Sequence, residues 1–247
     1  MMRDEADVVR HTVEWMQTQV DKVIVADNGS VDDTRSILEE LGVTVVDDPE
    51  VGYYQSEKMS ALAHRAFHEG ASWVVPFDAD ELWLAREGRI ADFLESLPDT
   101  VMLAQATLFD HVATGLDPDL PDPVERIKWR RPLPGPLHKV ACRAHPQLWV
   151  HQGNHGAGYP NMPHPPAALD ALVIHHFPYR SVEQFESKVR NGAQAYSVTR
   201  LGQDIGAHWR QYGRILEEQG PEALAEVFRE WFWAADPQAA GLIYDPV

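Results

Sequence analysis

Three apolar runs in the first third of the chain each end on an acidic residue, and helical periodicity fills the gaps between them. Lys22-Val23-Ile24-Val25-Ala26 runs into Asp27. Val43-Thr44-Val45-Val46 runs into Asp47-Asp48. Trp73-Val74-Val75-Pro76-Phe77 runs into Asp78-Ala79-Asp80-Glu81. Val9, Val13, Met16 and Val20 mark a helix before the first run. Ile37, Leu38 and Leu41 mark a second helix, and Met59, Leu62, Ala63, Ala66 and Phe67 a third. The Ser30 to Asp33 spacing reads as a capping box, and Ser56 reads as the cap of the third helix. Gly42 and Gly70 close the two helices that lie between strands. Strand and helix in alternation predict parallel βαβ units. Right-handed crossovers would then bring residues 3–7, 27–30, 47–48 and 78–81 to one sheet edge, where open α/β sheets bind ligands. Carboxylates crowded at such an edge repel one another unless a cation lies between them.

The second half is less regular. Residues 101–109 read as a strand, and 110–137 as a long loop of the kind that often carries function. Residues 139–143 and 148–151 read as two short antiparallel strands, and 153–166 as a loop. Residues 171–177 form a strand on whose alternation His176 faces one way and His175 the other. Helical patterns follow from Ser181, over 208–219 and over 222–234. Cys142 reads as a small core residue. Phe228, Trp231, Phe232 and Trp233 read as core or a contact in a homodimer.

Composition narrows the classes. With 21 Lys and Arg against 38 Asp and Glu, the formal charge is -17, which argues against nucleic acid as a partner. An anionic substrate then needs a metal or a few placed cations. The single cysteine excludes an internal disulfide and fits a reducing, cytoplasmic setting. No apolar stretch reaches membrane-spanning length, and the first residues lack a signal-peptide pattern.

Met2-Arg3-Asp4-Glu5-Ala6-Asp7, Ala26-Asp27-Asn28-Gly29-Ser30-Val31-Asp32-Asp33-Thr34 and Phe77-Asp78-Ala79-Asp80-Glu81 resemble the ordered motifs of family 2-like glycosyltransferases. Gly153-Asn154-His155 is similar to a bacterial branch of that group. So is Ile174-His175-His176-Phe177-Pro178-Tyr179-Arg180-Ser181, with Glu183, Gln184, Phe185 and Lys188. The likeness runs from about residue 2 to 195. It implies the GT-A fold: a Rossmann-like, mostly parallel sheet flanked by helices, with a helical C-terminal portion. Residues 1–110 are then the nucleotide-sugar-binding α/β half. Residues 111–180 are acceptor-side loops and short strands completing the same domain, and 181–247 are C-terminal helices. In one respect the chain departs from the pattern. The strand that normally precedes the Arg-Asp-Glu motif is reduced to Met1-Met2. Either the recorded start is internal to the gene product, or the sheet manages without a full first strand.

The resemblance also implies the chemistry. A metal-dependent glycosyltransferase would move a sugar from a nucleotide-diphosphate donor, by family habit a UDP-sugar, to the hydroxyl of a small-molecule or glycan acceptor. A divalent cation bridging the phosphates stabilises the charge that develops on the leaving group. Asp80 is the expected direct ligand. Asp78 meets the ribose, or the metal through water. Asp27 accepts hydrogen bonds from base or ribose, with Asn28 supplying the turn, and Arg3 and Glu5 line the same edge. His176 is the expected further ligand, with His155 competing for that role. An imidazole ligand favours Mn²⁺ over Mg²⁺. Arg180, Lys188 and Lys139 are candidate phosphate partners. If the reaction inverts the anomeric centre, a carboxylate takes the acceptor proton. Asp110 is the first candidate, with Asp117, Asp119, Asp122 and Glu125 in the same loop. A sugar nucleotidyltransferase, or a nucleotide-sugar-binding module without catalysis, is the alternative reading.

Overall fold

The computed structural model describes residues 1–202 and 204–247. Its elements in chain order begin with α1 (Val9–Gln19), β1 (Ile24–Asp27), α2 (Thr34–Glu40), β2 (Thr44–Asp47) and α3 (Gln55–His68). Next come β3 (Trp73–Val74), β4 (Glu81–Ala85), α4 (Ile90–Glu95), β5 (Leu103–Asp110) and β6 (Ala113–Thr114). Then follow α5 (Pro123–Arg126), β7 (Trp129–Arg130), β8 (Lys139–Arg143), β9 (Trp149–Val150), β10 (Ala157–Gly158) and β11 (Ala167–His176). The chain ends with α6 (Val182–Val198), α7 (Ala207–Gln219), α8 (Pro221–Trp231), β12 (Trp233–Ala234) and β13 (Ile243–Tyr244).

These elements form two compact units. Met1–Asp47, Tyr54–Phe109 and Leu133–His176 make the first; Asp48–Tyr53, Asp110–Pro132 and Phe177–Val247 make the second.

The first unit is α/β. β1 and β2 pair in parallel, from Ile24 with Thr44 to Asp27 with Asp47, and α2 forms the crossover. The larger sheet has the order β3-β8-β5-β11-β4. Here the structure departs from the mostly parallel sheet expected: β3 with β8, β8 with β5, and β11 with β4 are all antiparallel. The stretch after Phe77 carries the chain from β3 at one edge of this sheet to β4 at the other, and later strands, β8 and β11, come back to pair antiparallel with them. β8 then inserts between β3 and β5, so residues 139–143 do not pair with 148–151; β9 pairs with β10 instead. The apolar run at 73–77 is strand only over Trp73–Val74.

α1 forms where the spacing places it. Its stripe of Val9, Val13 and Met16 is buried, and Trp15 donates from Nε1 to the Trp83 carbonyl at 2.8 Å. Leu38, Trp83, Ile90, Leu94, Leu172 and Ile174 continue the same core. Each such side chain contributes about 1.5–3 kcal/mol by leaving water. Cys142 is buried among Leu103, Val140 and Leu148. The two expected serine caps do not form. α2 starts at Thr34 with Asp33 at its N-cap, and α3 starts at Gln55 with Tyr54 there. Both serines are committed elsewhere, Ser30 to Asp27 and Ser56 to the Val150 carbonyl.

The second unit is largely helical. Ser181 caps α6, accepting from the Gln184 amide at 3.1 Å. Phe185 sits among Tyr179, Tyr212, Phe228 and Phe232, with ring centroids 5.2–6.0 Å away. The stretch at 110–137 is not bare loop. It carries β6, α5 and β7, and Asp122 caps α5 by accepting from the Val124 amide at 2.8 Å.

Candidate active site

The first unit gathers the acidic motifs around the start of the chain. Met2 forms a parallel bridge to Asp27. Its amide donates to the Ala26 carbonyl at 2.9 Å, and its carbonyl accepts from the Asn28 amide at 2.9 Å. Residues 3–6 are then clamped to the turn after β1. The Asp4 amide donates to Ser30 Oγ at 3.1 Å, the Glu5 amide to Thr34 Oγ1 at 2.8 Å, and the Ala6 amide to Asp32 Oδ2 at 3.0 Å. Asp4 returns the contact by accepting from the Val31 amide at 2.8 Å. Asp4 takes a left-handed backbone (φ 53°), a conformation that Asp tolerates better than most residues. Its carboxylate also lies 3.8 Å from Arg3 Nε. Asp27, buried at the end of β1, accepts from Ser30 Oγ at 2.6 Å and from the Ser30 amide at 3.1 Å. Its other oxygen is 3.6 Å from Arg35.

The Asp-Ala-Asp-Glu turn is held by a buried lysine. Lys139, the first residue of β8, forms ion pairs with both Asp78 and Glu81. Asp78 Oδ1 also accepts from Gln55 Nε2 at 3.3 Å and Asn154 Nδ2 at 3.4 Å. The Glu81 side chain closes the turn, accepting from the Asp78 amide at 3.2 Å and from Trp83 Nε1 at 3.0 Å. Burial alone would raise the Asp78 pKa, but the Lys139 ammonium overcomes it and holds the carboxyl below its ordinary value. The positive Met1 amino terminus pulls the same way. Glu81 is raised, because its burial outweighs Lys139. Lys139 itself is raised: burial would lower it, but the two carboxylates prevail.

Asp80 points elsewhere. It is almost fully buried, and its Oδ1 lies 3.7 Å from His176 Nε2. The β4–β11 ladder sets this meeting, because His176 stands opposite Glu81, the neighbour of Asp80. His175, one residue earlier, is opposite Leu82 and buried. The pair offers one carboxylate oxygen and one imidazole nitrogen, a donor set that fits a two-residue hold on a divalent ion. Among the described residues no group of three or more His, Cys, Asp or Glu side chains is arranged to hold a metal. Asp78 is engaged by Lys139. His155 turns its ring over Gly153 and places Nδ1 2.8 Å from the His138 carbonyl. Burial lowers its pKa.

The remaining candidates lie in the second unit. Asp110 ends β5, and its carbonyl accepts from the Arg131 amide at 2.9 Å. Arg180 is 2% exposed; it donates from Nη1 to the Phe177 carbonyl at 3.1 Å, and its own carbonyl accepts from Arg126 at 2.9 Å. Lys188 donates to the Pro178 carbonyl at 3.2 Å, with Nζ 5.9 Å from the centre of the Tyr179 ring. Asp117 is tied to Thr114, accepting from its hydroxyl at 2.6 Å and its amide at 2.9 Å. Burial pushes the Asp117 carboxyl up.

Lys139, a candidate phosphate partner by sequence, forms ion pairs with Asp78 and Glu81 that its position in the chain does not announce. The available signal was charge balance: three carboxylates packed into four residues need a cation, and β8 offers one at its first position.

The profile of Glycosyl transferase family 2 matches residues 2–118. An uncharacterized glycosyltransferase of Rickettsia felis is 33% identical over 82 residues, covering 32% of this chain and 26% of that protein. One from Rickettsia conorii is 34% identical over 82 residues, with the same coverage of 32% and 26%. The chain thus spans about a quarter of the length of these relatives. Among solved structures, it is similar to glucosyl-3-phosphoglycerate synthase from Mycobacterium tuberculosis, crystallised with Mn²⁺ and UDP-glucose. That likeness is slight: 21% identity, 44% of this chain, 41% of that chain, and a TM-score of 0.29. The family profile and both bacterial relatives agree with the ordered motifs: over residues 2–118 the chain is similar to the family 2 glycosyltransferases.

Proposed function

We propose that the chain is a metal-dependent glycosyltransferase, moving a sugar from a nucleotide diphosphate to an acceptor hydroxyl in a GT-A-type site. The observation that carries this reading is the approach of Asp80 to His176 beside a turn whose other two acidic side chains are both engaged by Lys139. Asp80 and His176 would hold the divalent ion, which when bound supplies positive charge against the departing diphosphate. Lys139 fixes the turn, so that Asp80 keeps its position without rearrangement as charge develops. Asp27, oriented by Ser30, is left to accept from the base or ribose of the donor, and uridine is the base we assign. Arg3, Glu5 and Asn28 line that part of the site. Asp78, drawn to Lys139, is read as a ribose partner or a holder of the turn. His155, whose Nδ1 meets the His138 carbonyl, stays the competing candidate ligand through its Nε2. Asp110 is assigned as the base of an inverting transfer, and Arg180 and Lys188 as diphosphate partners.

Thermal-shift screening of nucleotide-sugars with and without Mn²⁺ tests the proposal. A ligand that binds only the folded chain raises the melting temperature by mass action. The expected result is a UDP-sugar shift that needs Mn²⁺ and vanishes in Asp80→Asn. Equal shifts in parent and variant, or none with any nucleotide, would overturn it.

A further inference from the structure

The second unit has an open cleft of its own, about 330 Å³ in volume. Thr114 of β6, Arg126 of α5, Trp233 of β12 and the pair Arg180-Ser181 line it, with Asp117 and Asp119 from the loop after β6. The volume suits a small molecule. Its walls are fixed by the backbone. β6 and β12 pair in parallel, Trp233 with Ala113 and Ala234 with Thr114. The Gly115 amide extends the contact, donating to the Ala234 carbonyl at 2.9 Å. A Cβ at 115 would meet the Ala235 carbonyl oxygen at 2.7 Å, so the approach needs glycine.

The polar groups of this cleft are unequally committed. Asp117 is spent on the turn, because both its oxygens accept from Thr114. Asp119 is exposed. Arg180 is buried and gives Nη1 to the Phe177 carbonyl. Arg126 is only half-buried. Its Nη2 donates to the Arg180 carbonyl, a neutral acceptor, and among the described residues no carboxylate comes within ion-pair distance of it. Asp117 acts on it through space alone. Ser181 accepts at Oγ from the Gln184 amide, which leaves its hydroxyl hydrogen to donate. A guanidinium and a hydroxyl thus bring donors to the cleft that the protein does not use. A cation or a wholly apolar molecule would leave the Arg126 charge unmatched. An oxyanion meets it, and the planar fork of arginine fits phosphate and carboxylate alike.

We propose that this cleft binds the oxyanion of a small ligand, a phosphate or a carboxylate, through Arg126 and Ser181, with buried Arg180 adding positive charge. The site goes beyond the function proposed above, which gives Arg180 to the donor's diphosphate and Arg126 no role. The oxyanion belongs either to that diphosphate or to a separate acidic ligand, and both present the same chemistry to a guanidinium. All the lining residues named lie in the second unit, so the site does not rest on Asp80 or His176.

Calorimetric titration of the whole chain with inorganic phosphate, without metal, is the test. Phosphate is expected to bind with a Kd of about 1 mM and more weakly as salt is raised. Arg126→Met should weaken it by about tenfold or more. Lys128→Met removes the same charge two positions along, from a side chain outside the lining, and should leave phosphate binding unchanged. Asp119→Asn removes an exposed negative charge and should tighten it about twofold. No phosphate binding, or equal weakening by Arg126→Met and Lys128→Met, would overturn the proposal. If Arg126→Met does not fold, Asp119→Asn decides, and phosphate bound no more tightly than by the parent would overturn it. Competition identifies the source of the anion. Phosphate displaced by UDP with Mn²⁺ gives the cleft to the donor's diphosphate, and phosphate retained beside saturating UDP and Mn²⁺ gives it to a separate ligand. Asp80→Asn should bind phosphate as the parent does, which separates failure of the metal site from failure of this one.

Discussion

Nε2 of His176 lies 3.7 Å from Oδ1 of Asp80, although the two residues are far apart in sequence. The antiparallel register of β11 against β4 makes the contact, and both strands are anchored in the core by Leu172, Ile174, Leu82 and Trp83. A shift of one residue would present His175 instead, and would reverse the faces of every side chain on β11.

If this pair holds the ion, Asp80→Asn should lower kcat by about 10²-fold or more while the unfolding midpoint moves little. His176→Ala should weaken Mn²⁺ binding by about tenfold or more, as read by Mn²⁺ titration. The double variant should be no worse than Asp80→Asn alone, because both side chains serve one ion. Full turnover by Asp80→Asn would sink the assignment.

Removing Lys139 should be costly to the fold. It is 5% exposed and faces two carboxylates, so Lys139→Met strands negative charge in the interior. About 3 kcal/mol of stability should be lost, measured by urea unfolding. Adding Asp78→Asn and Glu81→Gln to Lys139→Met should recover most of that loss, since no unpaired charge then remains. A triple variant no more stable than Lys139→Met would show that lost packing, not charge, is the cause.

Asp78 and Glu81 should give opposite pH signatures. The folded pKa of Asp78 is depressed, so its contribution is complete above the unfolded value of about 3.9 and is lost as pH falls through the folded value. Glu81 is raised, so its contribution is complete below about 4.3 and is lost as pH rises through the folded value. Melting temperature should therefore fall less between about pH 5 and about pH 2 in Asp78→Asn than in the parent. Glu81→Gln should instead improve relative to the parent as pH rises above about 5. Parallel curves for all three proteins would contradict the electrostatic account of the turn.

Ser30 is the hinge pin of the proposed donor side. It donates to Asp27 and accepts from the Asp4 amide, so Ser30→Ala releases both. The expected effect is a several-fold rise in KM for the nucleotide-sugar with kcat nearly unchanged, and a stability loss of about 1 kcal/mol. A fall in kcat at constant KM would place Ser30 in the chemical step instead.

Much of the first unit was legible in the sequence. The four-three spacing of Val9, Val13 and Met16 makes α1, and two β-branched runs make β1 and β2, because these patterns report directly on burial. β4 was hidden, since Glu81-Leu82-Trp83-Leu84-Ala85 follows the acidic motif without a break and shows no period of its own. The mixed sheet was hidden for the same reason: antiparallel returns leave no helix to signal them. The partnership of Lys139 with Asp78 spans 61 positions, and one lysine at a strand start looks like any surface cation. Ser30 misled because the same side chain suits a helix cap or an aspartate, and only the placement of Asp27 decides between them.

The interleaving of the two units has a practical meaning. The chain passes between them five times, at 47/48, 53/54, 109/110, 132/133 and 176/177. No single cut of the gene yields either unit whole. Both must assemble from distant stretches, a topology that slows folding because loops have to close first. Expression trials should therefore keep the polypeptide intact, and a split-gene version should be rescued only when its halves are produced together.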